Sequence, residues 1–357
     1  MNKEPLEFLT KLLETPSPSG FEQKIQRVVK KRMAPFADSI TVDVHGNLIA
    51  CWNPKGKVRV MLAGHCDQIG MMINHVDDKG YIHFGAIGGI DPAVLPGSHV
   101  TILNRGGNVP GVIGFKPIHL LSPAERGAPV DMGKLWIDIG AKNGEEAKKL
   151  VAVGDAIVYQ LGVSQLGKNI IVSPGLDDKV GLFVCMEALR LVSKQAGKKS
   201  HPVALYSVST VQEEIGLRGA RTSCYGIDPL VGIAVDVTHA SDNPGADPKK
   251  IGTVNFGDGP SIARGPNINP VLEDLLVDTA KKKRIKYQPL SSPGATGTDA
   301  NSIQVSRSGV AAALLALPNR YMHTSTELCD LRDLESAAKL IAETVLRITS
   351  RMDFIPS

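Results

Sequence analysis

The chain has 357 residues, more than one hydrophobic core usually supports, which predicts a large domain with a smaller companion. Its 40 basic and 36 acidic residues leave a net charge of +4, too mild to indicate a nucleic-acid partner or an anionic membrane surface. Aromatic residues make up only 4% of the chain, which argues against a platform for stacked bases.

The cysteines and the N-terminus bear on location. There are five cysteines, an odd number without Cys-x-x-Cys spacing, which indicates reduced thiols rather than a disulfide framework. The N-terminus has no signal-peptide core, and no apolar stretch approaches the length of a membrane span. We therefore expect a cytoplasmic protein.

The first part of the chain predicts helices followed by strands. Apolar residues at helical spacing predict helices at 5–14 and 21–33, separated by a proline- and serine-rich turn that ends at Gly20. Residues 41–52 are typical of strand, turn and strand, and residues 57–64 of a further strand.

The amino-acid composition and the apolar pattern change between about residues 68 and 162. Glycine and proline become frequent and the apolar runs are short, a pattern that predicts a small all-β barrel or sandwich. One short helix is expected within it, at 145–150.

Alternating helices and strands return after Ser173 and predict an α/β fold, a mixed β-sheet flanked by helices. The predicted elements are a helix at 178–194, strands at 202–210 and 230–237, a helix at 270–284, a strand at 310–318 and a helix at 331–351. Asp330 is the expected cap of the last helix, and the basic run at 281–284 is interpreted as a solvated helix end. The α/β domain is thus discontinuous (1–68 and 163–357), with a β-rich domain (69–162) inserted.

Two adjacent acids, Glu213 and Glu214, follow the strand predicted at 202–210. Side-by-side carboxylates repel, and burial would raise their pKa values further. A bound dication could relieve one, leaving the other to take a proton from metal-activated water. The competing interpretation is a strand edge with both carboxylates in water.

Other acids and histidines also stand at the ends of predicted strands and helices. His65 ends a strand, and Asp67 is placed to hold the second ring nitrogen of His65. Asp177 and Asp178 open a helix, where one could be an N-cap and a carboxylate could instead bridge two cations. Taken singly, each of these residues could equally be an ordinary hydrogen-bonded polar group.

Asp236 and His323 complete the pattern, because each closes or follows a buried strand. Imidazoles together with carboxylates suit zinc, cobalt or manganese rather than calcium. Five ligand residues, one of them bridging, would give each of two ions three protein ligands and leave room for water. The sequence therefore predicts a hydrolase with two divalent metal ions.

In this order the motifs resemble the dinuclear metallo-aminopeptidases of the tetrahedral (TET) type, the glutamyl/leucyl aminopeptidase family, essentially end to end. They are Gly64-His65-x-Asp67, Leu176-Asp177-Asp178-Lys179-x-Gly181, Gln212-Glu213-Glu214-Ile-Gly216, Asp236-Val-Thr-His239, Gly297-Thr-Asp-Ala300 and Met322-His323-Thr324. Two neighbouring positions depart from many relatives, which have Glu in place of Gln68 and often Met in place of Cys66.

The resemblance assigns a role to each residue. It implies that Asp177 bridges the ions, that His65 and Asp236 complete one site, and that Glu214 and His323 complete the other. It also implies Glu213 as general base and Asp67 as the group that orients His65. The ions would be zinc or cobalt, with manganese as a further choice. The inserted domain would be a β-barrel-like dimerisation domain, and members commonly build twelve-subunit tetrahedral shells that admit short peptides.

The expected activity is the removal of N-terminal residues from short peptides. A related dimetal deacylase or carboxypeptidase would share the ligands, and a glycoside hydrolase would also use paired carboxylates. The glycosidase alternative leaves the histidines and the further aspartates without a role. A catalytically silent binding protein is the third alternative, which peptide turnover would exclude.

Overall fold

The computed structural model describes residues 1–196 and 201–356. Within them the α-helices are α1 (Lys3–Leu13), α2 (Gln23–Met33), α3 (Pro123–Arg126), α4 (Gly144–Leu150), α5 (Leu176–Gln195), α6 (Arg218–Ile227), α7 (Pro248–Ile251), α8 (Pro270–Lys283), α9 (Asp299–Gln304) and α10 (Leu331–Arg347). None of the helices in these two ranges is long and apolar enough to cross a membrane.

The largest sheet has eight strands and carries helices on both faces. In spatial order the strands are β1 (Ser39–Val42), β2 (Leu48–Trp52), β12 (Val203–Thr210), β3 (Val58–His65), β13 (Val231–His239), β16 (Ala311–Asn319), β14 (Ser261–Arg264) and β15 (Gln288–Ser291). The four central strands β12, β3, β13 and β16 are parallel, and the outer pairings include antiparallel ones, so the sheet is mixed. Helices α5 and α10 pack on one side and α6 and α9 on the other. This confirms the predicted mixed sheet between helices.

A closed antiparallel barrel forms a second unit with its own apolar core. Its strands, in order around the barrel, are β4 (Gly70–Val76), β5 (Ile82–Ile87), β8 (Trp136–Asp138), β7 (Gly107–Gly114), β6 (His99–Asn104) and β9 (Ala156–Tyr159). Met71, Ile102 and Ile137 are among its fully buried side chains. Closure removes the free strand edges that short strands would otherwise expose.

A small antiparallel sheet joins distant parts of the chain. Its strands are β10 (Ser164–Leu166), β11 (Ile170–Ser173) and β17 (Glu327–Asp330). The register places Ser173 opposite Glu327. The segment that enters α5 is therefore fixed beside the segment that follows β16.

The structure departs from the predicted elements in a few places. Helix α10 ends at Arg347, four residues before the predicted end, although Asp330 caps it as expected by accepting a hydrogen bond from the Arg332 amide. Helix α6 was not predicted because Arg218–Ile227 mixes glycine and polar residues and depends on packing against β12 and β3. The basic residues at the end of α8 lie in its last turn, as interpreted.

Candidate metal centre

The predicted site residues meet at the carboxyl-terminal edge of the central parallel strands. His65 ends β3 and Asp236 lies near the end of β13, while Glu213 and Glu214 follow β12 and His323 follows β16. Asp177 reaches the same edge from the start of α5. Parallel strands end at one edge of a sheet, which is where open α/β sheets bind ligands. A cavity of about 560 Å³ opens here, lined by these six residues.

One group of possible metal ligands consists of His65, Asp177 and Asp236. One nitrogen or oxygen atom from each lies within 4.8 Å of the others. His65 Nε2 is 3.2 Å from Asp177 Oδ1 and 4.0 Å from Asp236 Oδ1. All three side chains are buried.

A second group consists of Asp177, Glu214 and His323, again with one atom from each within 4.8 Å. His323 Nε2 is 3.2 Å from Asp177 Oδ2 and 3.5 Å from Glu214 Oε2. Asp177 belongs to both groups and turns a different oxygen to each histidine. Glu213 belongs to neither, although its Oε2 lies 3.8 Å from His65 Nε2.

Both imidazoles are oriented by a backbone carbonyl at Nδ1. His65 Nδ1 is 3.0 Å from the carbonyl oxygen of Asp67, and His323 Nδ1 is 2.7 Å from that of Gly89. If Nδ1 carries the proton, Nε2 presents its lone pair to the carboxylates, as in a metal-binding histidine. Gly89 lies in the loop after β5, so the barrel contributes directly to the site.

The carboxylate of Asp67 holds the loop that carries the paired acids. It accepts hydrogen bonds from the Glu213 amide at 3.0 Å, the Glu214 amide at 3.2 Å and Ser19 Oγ at 2.7 Å. Its Oδ1 is 3.5 Å from His65 Nδ1, farther than its own carbonyl oxygen. Asp67 therefore contacts His65 mainly through the main chain.

Close backbone approach explains two glycines at the site. A Cβ on Gly64 would lie 2.5 Å from the Leu182 nitrogen, so β3 and α5 touch without a side chain between them. Gly88 has a φ of +81°, and a Cβ there would lie 3.3 Å from Cβ of Glu214. The first contact brings the end of β3 close to α5, and the second brings the loop after β5 close to Glu214.

The site concentrates buried carboxyl groups. Burial raises the pKa of Glu213 to about 10, against the opposing effect of His65, and raises that of Asp236 to about 8. Burial and Asp177 raise the pKa of Glu214, whose Oε1 is buried without a hydrogen-bond partner. Within residues 1–196 and 201–356, no Lys or Arg side chain pairs with these carboxylates.

The histidines carry the opposite charge. Burial lowers the pKa of His65, but Glu213, Asp177 and Asp67 outweigh it and the net pKa is raised. Burial acts to raise the pKa of Asp177, yet hydrogen bonds with His323 and His65 hold it below its usual range. Divalent cations would take the place of these imidazole protons. The donor set and the unpartnered oxygen of Glu214 thus fit metal ions.

Several buried acids around the site lie outside the predicted set of metal ligands and catalytic residues. Asp178 accepts a hydrogen bond from the His65 amide at 3.2 Å, and Glu22 accepts one from the Gln212 amide at 3.2 Å. Glu327 accepts hydrogen bonds from the amides of Asp177 and His323. For Glu327 the sequence offered one signal, because this acid stands beside apolar residues in Thr326-Glu-Leu-Cys.

The two positions that depart from the family pattern lie beside the site but outside both ligand groups. Cys66 is fully buried, which is typical of a free cysteine that packs as a small apolar side chain. Gln68 Oε1 accepts a hydrogen bond from Lys179 Nζ. Burial lowers the pKa of Lys179 to about 7.

Comparisons with known proteins agree over most of the chain. The profile of the M42 glutamyl aminopeptidase family matches residues 46–340. A lysyl aminopeptidase of Pyrococcus furiosus is 39% identical, over 98% of this chain and 99% of its own length. The crystal structure of a TET aminopeptidase from Thaumarchaeota archaeon SCGC AB-539-E09 has a TM-score of 0.92 at 34% identity, covering 97% of both chains. The TET1 peptidase of Pyrococcus horikoshii, which can assemble into a tetrahedron or a large octahedral shell, has a TM-score of 0.84 at 31% identity, covering 96% of this chain and 100% of its own.

Proposed function

The chain belongs to the M42 glutamyl aminopeptidase family and is a peptide hydrolase, and we propose that it removes N-terminal residues from short peptides with two divalent metal ions. The observation that carries the proposal is Asp177, which turns one oxygen to each of two adjacent ligand groups. A single carboxylate shared in this way suits a dinuclear centre.

We assign His65 and Asp236 to one ion, Glu214 and His323 to the other, and Asp177 to both. Support comes from the two sets of atoms within 4.8 Å and from the unpartnered oxygen of Glu214. Imidazole and carboxylate ligands favour zinc or cobalt, with manganese as a further choice.

Glu213 is the proposed general base. When bound, the ions would polarise the scissile carbonyl and lower the pKa of a water molecule. Glu213 would take a proton from the attacking water and pass it to the leaving amine. The carboxylate of Glu213 belongs to neither ligand group, so it does not need to bind a metal ion. Asp67 accepts a hydrogen bond from the Glu213 amide and thereby holds the residue in place. Asp67 would also orient His65 through its carbonyl oxygen.

Glu213→Gln tests this assignment. The variant should keep both ions and lose about 10²–10⁴-fold in turnover, because it removes proton transfer and no ligand. Glu214→Gln is the matched comparison and should lose one ion. Metal content and hydrolysis of aminoacyl chromogenic substrates are measured on both. Turnover near the parental value in Glu213→Gln would contradict the role of Glu213 as base.

The same substrates separate the alternatives. A deacylase or carboxypeptidase with these ligands would prefer N-acylated or C-terminal substrates, and a glycoside hydrolase would cleave sugars in the presence of a chelator. The two imidazoles among the carboxylates have no function in a glycosidase that works with two carboxyl groups. Varying the aminoacyl group also measures the preference for the first residue.

We propose that the chain forms dimers through the barrel and a tetrahedral dodecamer, a proposal supported by the tetrahedral and dodecameric assemblies of the Pyrococcus horikoshii protein. The proposed division is a catalytic α/β domain, 1–68 with 163–357, and a dimerisation domain, 69–162. It is supported by the barrel strands, which all lie between Gly70 and Tyr159. A cytoplasmic location is supported by the five cysteines, which are all free and buried.

A further inference from the structure

Glu327 is a buried carboxylate that contacts the main chain of two proposed ligand residues while belonging to neither ligand group. It is 1% exposed and begins β17. Its Oε2 accepts a hydrogen bond from the Asp177 amide at 2.8 Å, and its Oε1 accepts one from the His323 amide at 3.2 Å. Asn319 Nδ2 is a third, longer donor at 3.4 Å. One side chain thus connects the segment that contains Asp177 with the segment that contains His323, and these two segments lie far apart in the sequence.

Both of these segments have irregular backbone. Asp177 has φ −74° and ψ 108°, which interrupts the start of α5. His323 has φ +62°, in the left-handed region that residues other than glycine rarely adopt. Regular helix or sheet hydrogen bonds do not fix such backbone, and a buried amide without an acceptor destabilises the fold. The carboxylate of Glu327 supplies the acceptor at both places.

A buried carboxyl group at this position has a cost that needs an explanation. In the described residues, Glu327 makes no ion pair with a Lys or Arg side chain. A buried carboxylate that lacks a cationic partner disfavours folding unless several hydrogen bonds compensate it. Its two backbone contacts are the compensation, and both lead to the proposed metal site.

We propose that Glu327 is a positioning residue, whose carboxylate fixes Asp177 and His323 relative to each other and thereby sets the affinity of the metal ion that they share. It touches neither the substrate nor the ions. The inference rests on the proposed two-metal function. It also predicts an asymmetry, because Glu327 holds two members of the His323 group but only Asp177 of the His65 group.

Glu327→Gln tests the proposal with little change in volume. One acceptor oxygen becomes an NH₂ group that faces an amide N–H, so one of the two backbone contacts is lost. Metal-free protein is titrated with cobalt, and the visible absorption of the bound ion is followed through the two binding steps. The step assigned to Glu214 and His323 should lose about 10–100-fold in affinity, as when outer-shell partners of a metal site are removed. The step assigned to His65 and Asp236 should change less.

Asp333→Asn is the matched control. Asp333 is also 1% exposed, and its two oxygens accept hydrogen bonds from the amides of Gly257 and Gly259, both at 2.8 Å. Neither glycine lines the cavity that contains the ligand groups. The control should unfold more easily than the parent and bind both cobalt ions with parental affinity.

The outcomes separate the inference from the function on which it rests. If the parental protein does not take up two ions, the proposed function fails. If the parent binds two and Glu327→Gln binds them equally well, the role of Glu327 is refuted. If Glu327→Gln does not fold, Glu327→Asp provides a second test, because it keeps the carboxyl group on a side chain that is shorter by one methylene group. This variant should weaken the same binding step. Parental affinity in that variant would likewise overturn the proposal.

Discussion

At the scale of single residues, the site contains two kinds of buried acid. The first kind faces the imidazoles and comprises Asp177, Glu213, Glu214 and Asp236. The second kind accepts hydrogen bonds from backbone amides and comprises Glu22, Asp67, Asp178 and Glu327. The first kind provides the proposed chemistry, and the second fixes the geometry of the segments that carry it.

Glu22 gives a prediction about pH. Burial raises the pKa of Glu22 to about 7, so between pH 4.5 and 7 the folded protein holds a proton that the unfolded chain has lost. Folding then binds a proton, and the free energy of unfolding falls as pH rises through this window, by at most about 1.4 kcal/mol per pH unit. Glu22→Gln should remove this slope. Urea unfolding of metal-loaded protein at several pH values in the window provides the measurement, and parallel curves for both proteins would contradict the prediction.

The residues that meet at the site could be predicted because histidines and acids at strand ends are uncommon in a buried sheet. Spacing alone did not decide which of Glu213 and Glu214 should bind metal, since adjacent residues differ only in the direction that their side chains take. That direction depends on the loop held by Asp67. Glu327 was missed because its contact with Asp177 spans 150 residues and depends on the pairing of β11 with β17.

At the scale of elements, the contact between β3 and α5 determines where two ligand segments meet. Strand β3 ends at His65 and α5 starts beside Asp177, so any separation of the two elements also separates these side chains. The contact depends on Gly64, which faces the backbone of Gly181 and Leu182.

Gly64→Ala should therefore destabilise the protein and weaken metal binding. A Cβ at this position would lie 2.5 Å from the Leu182 nitrogen, and backbone atoms can give way only if the strand and helix move apart. Overpacking of this kind costs about 1–3 kcal/mol. The control is Gly226→Ala in α6, where a Cβ meets nothing within 4 Å and helix propensity should improve stability by up to about 1 kcal/mol. Chemical unfolding compares the two, and an unchanged Gly64→Ala would refute the packing argument.

The elements with a clear apolar pattern were predictable, whereas those determined by tertiary contacts were not. The central strands and helix α5 follow from runs of buried residues. Helix α9 has only six residues and depends on its contacts with β13 and β16. The cis peptide bond between Asp177 and Asp178 has no sequence signal, because such bonds occur almost only before proline.

At the scale of the whole molecule, stability should depend on the metal ions. Without them, Asp236 and Asp299 hold protons at low pH, because burial raises the pKa of Asp236 to about 8 and that of Asp299 to about 6. Deprotonation of these groups as pH rises destabilises the metal-free fold, because their folded pKa values lie above the unfolded ones. Cations bind the deprotonated form, so their stabilising effect should increase with pH.

A chelator should therefore lower the melting temperature more at pH 8 than at pH 5. At a free metal concentration about a thousand times the dissociation constant, a bound ion contributes about 4 kcal/mol. Thermal unfolding is measured with and without the chelator at both pH values. Adding zinc or cobalt back should restore the original melting temperature. Equal melting temperatures with and without the chelator would contradict the metal dependence.

The hydrogen bond between His323 and the Gly89 carbonyl has a consequence for the synthesis of the enzyme. Its partners stand 234 residues apart, one in the barrel and one near the end of the chain. A nascent chain that has been translated only as far as β16 already carries the barrel, yet it lacks the proposed ligand His323 and the acid Glu327, which accepts a hydrogen bond from its amide. Peptide cleavage should therefore begin only after His323 and Glu327 have been synthesised and His323 has met the loop that contains Gly89. A fragment that ends at β16 should therefore be inert even though its barrel is complete.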